Sequence, residues 1–151
     1  MKFCAAAMVL WAGGAWAAGP ATVQVSGMVA HPGPVALAGL KQVPVAASFR
    51  TMGDEQAHRW SGPLLLDVLA AASVTDEPGK KTHMRHVILA RGTDGYAVAV
   101  AIGEIEPVCE GKQVILALTE DDKKLAAPRL VVPGDTHFAR GVHDLVALEV
   151  R

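Results

Sequence analysis

Cysteine is almost absent: the 151-residue chain has two, Cys4 and Cys109. Cys4 falls in an N-terminal leader, described below, so Cys109 stands alone in the mature chain and no internal disulfide can form. A lone cysteine is more often a buried, inert small hydrophobe than a nucleophile. Val108 and Glu110 beside it offer no positive charge to lower a thiol pKa, which argues against catalysis by Cys109. Basic runs are also missing. Lys and Arg number 14 against 15 Asp and Glu, a net charge of −1, and nucleic acid is thereby excluded as the partner. Past the leader no long apolar run recurs, so no spanning helix is expected in the mature chain. The chain also lacks a P-loop, a G-x-G-x-x-G and a G-x-S-x-G elbow; Ser61 in Trp60-Ser61-Gly62 is without the first glycine of an elbow.

The leader is the clearest positive signal. Lys2 supplies a charge, Phe3 to Trp16 is uncharged and rich in Ala, and Ala15-Trp16-Ala17 has the small-x-small pattern of a cleavage site. The run falls short of the roughly 20 apolar residues that span a bilayer, and Gly13-Gly14 interrupts it. Residues 1–17 therefore read as a signal peptide cleaved near Ala17, with residues 18–151 as one exported, periplasmic domain. Cys4 lies too early to become a lipidated first residue. The remaining length can bury a core without disulfides.

Periodicity then gives the elements. Thr22 to Val29 alternates as a strand, His31-Pro32-Gly33-Pro34 is a turn, and Leu37 to Lys41 is one helical turn. Val43 to Phe49 is a second strand, followed by a polar loop, Arg50 to His58. Leu65, Val68, Leu69 and Ala72 fall at helical spacing behind Pro63, which suits a first turn. Thr75 to Thr82 is a charged loop. Arg85 to Ala90 and Tyr96 to Val100 flank Gly92-Thr93-Asp94-Gly95 as a hairpin, and Ile102 to Glu106 is a helical turn. Val114 to Leu118, Leu130 to Val132 and Leu145 to Val150 complete the strands. The sum is an α+β domain dominated by sheet.

Two segments gather chemistry. Arg50 to Gly62 packs Arg50, Asp54, Glu55, His58, Trp60 and Ser61 between a strand and a helix, where ligand loops sit. Arg129 to Arg140 adds Arg129, Asp135, His137 and Arg140 between two strands. For both, a solvated polar loop is the competing reading. His83 and His86 form an H-x-x-H, but on a strand they would diverge, so solvated histidines are the better reading there. His31 reads as turn decoration.

The ordered blocks Val25-Ser26-Gly27, Leu37 to Pro44, Trp60-Ser61-Gly62-Pro63-Leu64-Leu65-Leu66-Asp67-Val68-Leu69, Asp94-Gly95-Tyr96, Val114 to Leu118, Arg129 to Asp135, Ala139-Arg140 and Leu148-Glu149-Val150 resemble the molybdopterin-binding domain of the sulfite oxidase superfamily. They span Val23 to Val150 and are closest to its short exported single-domain members. The resemblance implies a sulfite-oxidase-like fold and a pterin cleft. One departure matters: sulfite oxidases hold molybdenum through a cysteine thiolate before the W-x-G-x-x-L helix, and Ala47 to Trp60 contains no cysteine. In this the chain is similar to the PruR-type pterin-binding regulators, which bind a reduced pterin in the periplasm and control a membrane cyclic-di-GMP enzyme through its periplasmic domain.

That resemblance implies a pterin ligand, reduced or molybdopterin-like, without molybdenum, and no metal redox chemistry. Trp60 or Tyr96 would stack on the flat ring. Asp54 or Glu55 would accept its two adjacent N–H donors, and Arg50, His58, Arg129, His137 and Arg140 are the polar partners for its other groups. The alternatives are a molybdopterin-dependent oxidoreductase or its subunit, and an interaction module that has lost its ligand.

Overall fold

The computed structural model describes residues 21–79 and 81–151. The expected leader, residues 1–17, lies outside them. The strands are β1 (Thr22–Gly27), β2 (Gly33–Ala36), β3 (Val43–Thr51), β4 (Asp54–Gly62), β5 (Val87–Gly92), β6 (Ala97–Ala101), β7 (Ile115–Glu120), β8 (Lys123–Val131) and β9 (Leu145–Val150). Helix α1 covers Leu65–Ala72 and the single turn α2 covers Ile102–Ile105. Three 3-10 turns, Leu37–Gly39, Thr82–Arg85 and Phe138–Arg140, fill the connections. None of these helices is long and apolar enough to cross a membrane.

The strands form two sheets. One runs β2-β1-β9-β5-β6 and the other β3-β4-β7-β8. All pairs are antiparallel except β1 with β9. Val23, Val25, Ile88, Val100, Leu148 and Val150 alternate inward from the first sheet and meet Leu65, Val68 and Leu69 of α1 in the main core. In the second sheet the start of β7 and the end of β8 are buried on both faces. Leu116 and Leu130 join that main core, while Ile115, Ala117 and Val131 join Val45, Phe49 and Trp60 in a smaller core on the opposite face. Successive side chains on a strand point to opposite faces, so one strand can serve two cores.

The expected turns at Leu37 and Ile102, the helix at Leu65 and the hairpin around Gly92-Thr93-Asp94-Gly95 all form. Three expectations need correction. The polar loop after Phe49 is a strand: β3 turns at Met52-Gly53, both at positive φ, and β4 pairs back from Asp54↔Thr51 to Gly62↔Val43. A two-residue turn with positive φ at both positions matches the twist of a hairpin. The Gly33-Pro34 turn is an edge strand, where proline is tolerated. His83 sits in a 3-10 turn capped by His86, so the two are three apart on one side rather than divergent on a strand.

Two glycines set close approaches. A Cβ on Gly62 would lie 2.0 Å from the Leu116 carbonyl oxygen, so β4 and β7 meet only with glycine there. A Cβ on Gly141 would lie 2.0 Å from the Phe138 ring, which needs that space to fold back onto the second sheet.

Candidate functional site

The outer face of the second sheet grades from apolar to polar. Phe49 and Thr51 on β3, and Gln56, His58 and Trp60 on β4, share that face because each set is spaced by two. Arg129 follows on β8, opposite Ala117. Glu120 joins them through a register shift between Ala117 and Thr119, which brings Glu120 rather than Thr119 beside Trp60 on this face. The segment 133–143 crosses above, carrying Phe138 and His143. These side chains enclose a cavity of about 140 Å³.

Its floor is aromatic. The Trp60 and Phe138 rings stack at 5.9 Å with 15° between planes, and Phe49 meets Phe138 edge-on at 4.8 Å. Trp60 is 2% exposed, so it is a covered floor and not an open stacking platform. Its Nε1–H is buried without an acceptor. The Arg129 guanidinium lies 5.9 Å over the Phe138 ring, within cation–π range.

The rim is polar and paired. Arg129 donates to Glu120 at 2.7 Å. His58 Nδ1 donates to Asp121 at 2.7 Å and lies 3.7 Å from Glu120. A carboxylate only accepts, so His58 Nδ1 carries the hydrogen of that bond. Asp121 sits in the two-residue β7–β8 turn, with Asp121 and Asp122 both at positive φ. The Arg59 backbone N–H and then His58 hold the Asp121 carboxyl below its ordinary range. A carboxylate has about four lone-pair sites, so Glu120 can accept from a ligand while bonded to Arg129.

Of the sequence candidates, His58, Trp60 and Arg129 line this cavity. Several others fasten the crossing segment over it. The Arg50 N–H donates to the Thr136 carbonyl at 2.8 Å, and His137 Nδ1 donates to the Arg50 carbonyl at 3.0 Å. Arg140 forks onto Asp135 at 2.7 and 2.8 Å and reaches Glu104 at 3.0 Å. Asp135 first, with Glu104, raises the Arg140 pKa further, so its charge is fixed. The Tyr96 hydroxyl donates to the Ala139 carbonyl. Asp54 and Glu55 lie exposed at the tip of the β3–β4 hairpin, with Glu55 opposite Arg50, outside the cavity lining. Ser61 pairs with Thr119 across β4 and β7. The lining residues that sequence reasoning missed are Phe49, Thr51, Gln56, Glu120, Phe138 and His143.

No cysteine lines the cavity; Cys109 is exposed in the turn after α2. Among the described residues no three His, Cys, Asp or Glu side chains are grouped to hold a metal ion. The chemistry on offer is recognition of a small flat polar ring: an aromatic floor, a carboxylate, a guanidinium, two imidazoles and an amide.

Two sheets, one helix and a segment strapped over the second sheet define a sheet-dominated α+β domain of sulfite-oxidase-like fold. A solved structure shares it. In the crystal structure of the sulfane dehydrogenase SoxCD from Paracoccus pantotrophus, a chain of 18% identity superposes with a TM-score of 0.69. The match covers 86% of this chain but 38% of that one, so this chain spans well under half of its neighbour's length. No family model and no curated protein sequence matches the chain.

Proposed function

We propose that this protein is an exported pterin-binding protein that acts as a ligand sensor or carrier and performs no metal redox chemistry. The observation that supports this most is the cavity rim. Glu120 presents a carboxylate to a ring edge with two adjacent N–H donors, while Arg129 and the Gln56 amide supply donors for a ring carbonyl. At about 140 Å³ the cavity is smaller than the roughly 300–1,000 Å³ of clefts that swallow a drug-sized ligand. It fits the ring and leaves a pterin side chain in solvent.

The lining does not fit a thiolate-anchored molybdenum, because its donors are nitrogen and oxygen. A signalling role follows from the same arrangement. Phe138 lines the cavity from the segment 133–143, so a bound ring would touch a segment whose neighbours Thr136, His137 and Ala139 are exposed. A partner that reads this segment, such as the periplasmic domain of a membrane signalling protein of the cyclic-di-GMP class, would sense occupancy.

The test is native mass spectrometry of gently purified protein, with fluorescence after oxidation to identify a released pterin. One pterin per chain and no molybdenum is the expected result. Stoichiometric molybdenum would instead establish the oxidoreductase reading, and protein with neither group, unable to take up added pterin, would establish the ligand-free module.

A further inference from the structure

The two sheets end in four edge strands, β2 and β6 in one, β3 and β8 in the other. An open edge offers its backbone groups to any other strand, and proteins blunt it with lysine, proline, a bulge or a covering segment. Three of these edges are blunted. β2 is four residues long and carries Pro34. β3 carries Pro44, and its Arg50 N–H is taken by the Thr136 carbonyl. β8 carries Lys123, Lys124 and Pro128, is offset from β7 by a register shift, and gives its Leu130 N–H to the Val142 carbonyl. β6 has none of these devices. It reads Ala-Val-Ala-Val-Ala, and the run from Tyr96 to Ile102 holds no charge and no proline.

The hydrogen bonds show which groups are left over. Gly92 N–H donates to the Tyr96 carbonyl at 2.9 Å and Ile102 N–H to the His86 carbonyl at 3.0 Å, at the two ends of the β5–β6 pair. Bonded and non-bonded pairs alternate along an antiparallel ladder, so Val98 and Val100 also bond β5, while the N–H and C=O groups of Ala97, Ala99 and Ala101 point away from it. The Ala101 N–H is taken by the Glu104 carboxylate at 3.2 Å. Among the described residues no further backbone group bonds Ala97 or Ala99. All three alanines are exposed. Beside them on β5, Val87 is exposed and Leu89 half-buried, so the apolar surface continues past the edge strand.

We propose that β6 is a self-association edge, to which a second copy of this chain adds its own β6 in antiparallel pairing. A two-fold axis at Val98 sets Ala97 of one copy opposite Ala99 of the other, and the reverse, and each such pair exchanges both of its N–H···O bonds. A second copy is the occupant because the strand has no charge to repel itself or to select a charged segment, and its free groups are symmetric about Val98. The two five-stranded sheets then become one continuous sheet. An edge of five residues buries less than the roughly 1,200 Å² of a standard interface, so the dimer is weak and its population follows concentration. Nothing in this edge depends on pterin binding in the cavity.

The test is sedimentation velocity of the chain beginning at Ala18, over a concentration series reaching about 1 mM, the scale of weak association. The one-chain mass should give way to the two-chain mass. Backbone amide exchange on the same series locates the contact. The Val98 and Val100 amides bond β5 and should stay protected throughout, whereas Ala97 and Ala99 should slow about twofold when half of the chains are paired. Ala99→Pro removes one outward N–H per copy at an edge position that tolerates proline, and should weaken association roughly tenfold or more with the dilute monomer still folded. The exchange pattern of the wild-type chain decides the matter even where that variant fails to fold. One-chain mass at every concentration, a dimer in which Ala97 and Ala99 exchange as fast as in dilute protein, or a folded Ala99→Pro chain that dimerises as wild type does would each overturn the proposal.

Discussion

Replacing Phe138 by alanine tests how the strap is seated. The ring stacks on Trp60 at 5.9 Å, meets Phe49 at 4.8 Å and His143 at 5.8 Å, and carries the Arg129 guanidinium above it. A fully buried Phe→Ala change costs about 3–5 kcal/mol. Phe138 is half-buried, and each aromatic pair accounts for about 0.5–1.5 kcal/mol within such a loss. A cost of about 2 kcal/mol follows, or a fall in Tm of roughly 6–10 °C for a domain of this size. The assay is built in. Trp11 and Trp16 precede Ala18, so in a chain beginning at Ala18 the emission comes from Trp60 alone. Removing Phe138 uncovers that indole and should shift its emission to the red. Phe49→Ala, at a fully buried position, should cost more than Phe138→Ala. An unchanged Tm together with unchanged Trp60 emission in Phe138→Ala would show that the strap does not rest on the aromatic floor.

Gly62→Ala should cost about 3 kcal/mol or more, because the new Cβ meets the Leu116 backbone at 2.0 Å and β4 must leave β7; thermal unfolding or soluble yield reads this. Acid sensitivity should depend on Glu104. Burial pulls its pKa up, but hydrogen bonds from Lys112 and Arg140 outweigh that and set it below the ordinary carboxylate value, so its contribution holds above that value and is lost as pH falls through the lowered one. Glu104→Gln should therefore lower stability at neutral pH and flatten the acid limb of a stability–pH curve; an acid limb identical to wild type would contradict this. Cys109→Ser should leave pterin affinity and Tm within error, since the thiol is exposed and outside the cavity; a lost ligand in this variant would place the thiol in the site.

The sequence made the apolar framework readable because burial writes itself as period. Leu65, Val68, Leu69 and Ala72 are the buried face of α1, and the alternating valines of β1 are its core face. What failed to show was structure whose inward face is polar. Gln56 and His58 on β4 point to the cavity rather than to a core, so Arg50 to His58 reads as a loop, although from Asp54 onward it pairs residue for residue with β3. Glu120 was hidden by the register shift in the β7–β8 pair, since a one-residue slip exchanges the faces of a strand. Phe138 and His143 sit on an irregular segment whose position depends on contacts with residues far away in sequence, notably Arg50 and Glu104. His58, Trp60 and Arg129 were legible as chemistry-bearing residue types. The carboxylates at Asp54 and Glu55 drew the eye for the same reason, yet the hairpin carries them to its tip.

The central claim, a pterin ring held by the Glu120–Arg129 rim, is tested most directly by titrating a reduced pterin into the wild-type, Glu120→Gln and Glu55→Gln proteins and reading the bound fraction by equilibrium dialysis. A charge-assisted contact is worth about 1.5–3 kcal/mol and each 1.4 is tenfold, so Glu120→Gln should weaken binding roughly ten- to a hundredfold. Glu55→Gln should bind as wild type does. Equal affinity in wild type and Glu120→Gln, or a loss confined to Glu55→Gln, would contradict the account and move the ligand away from this rim.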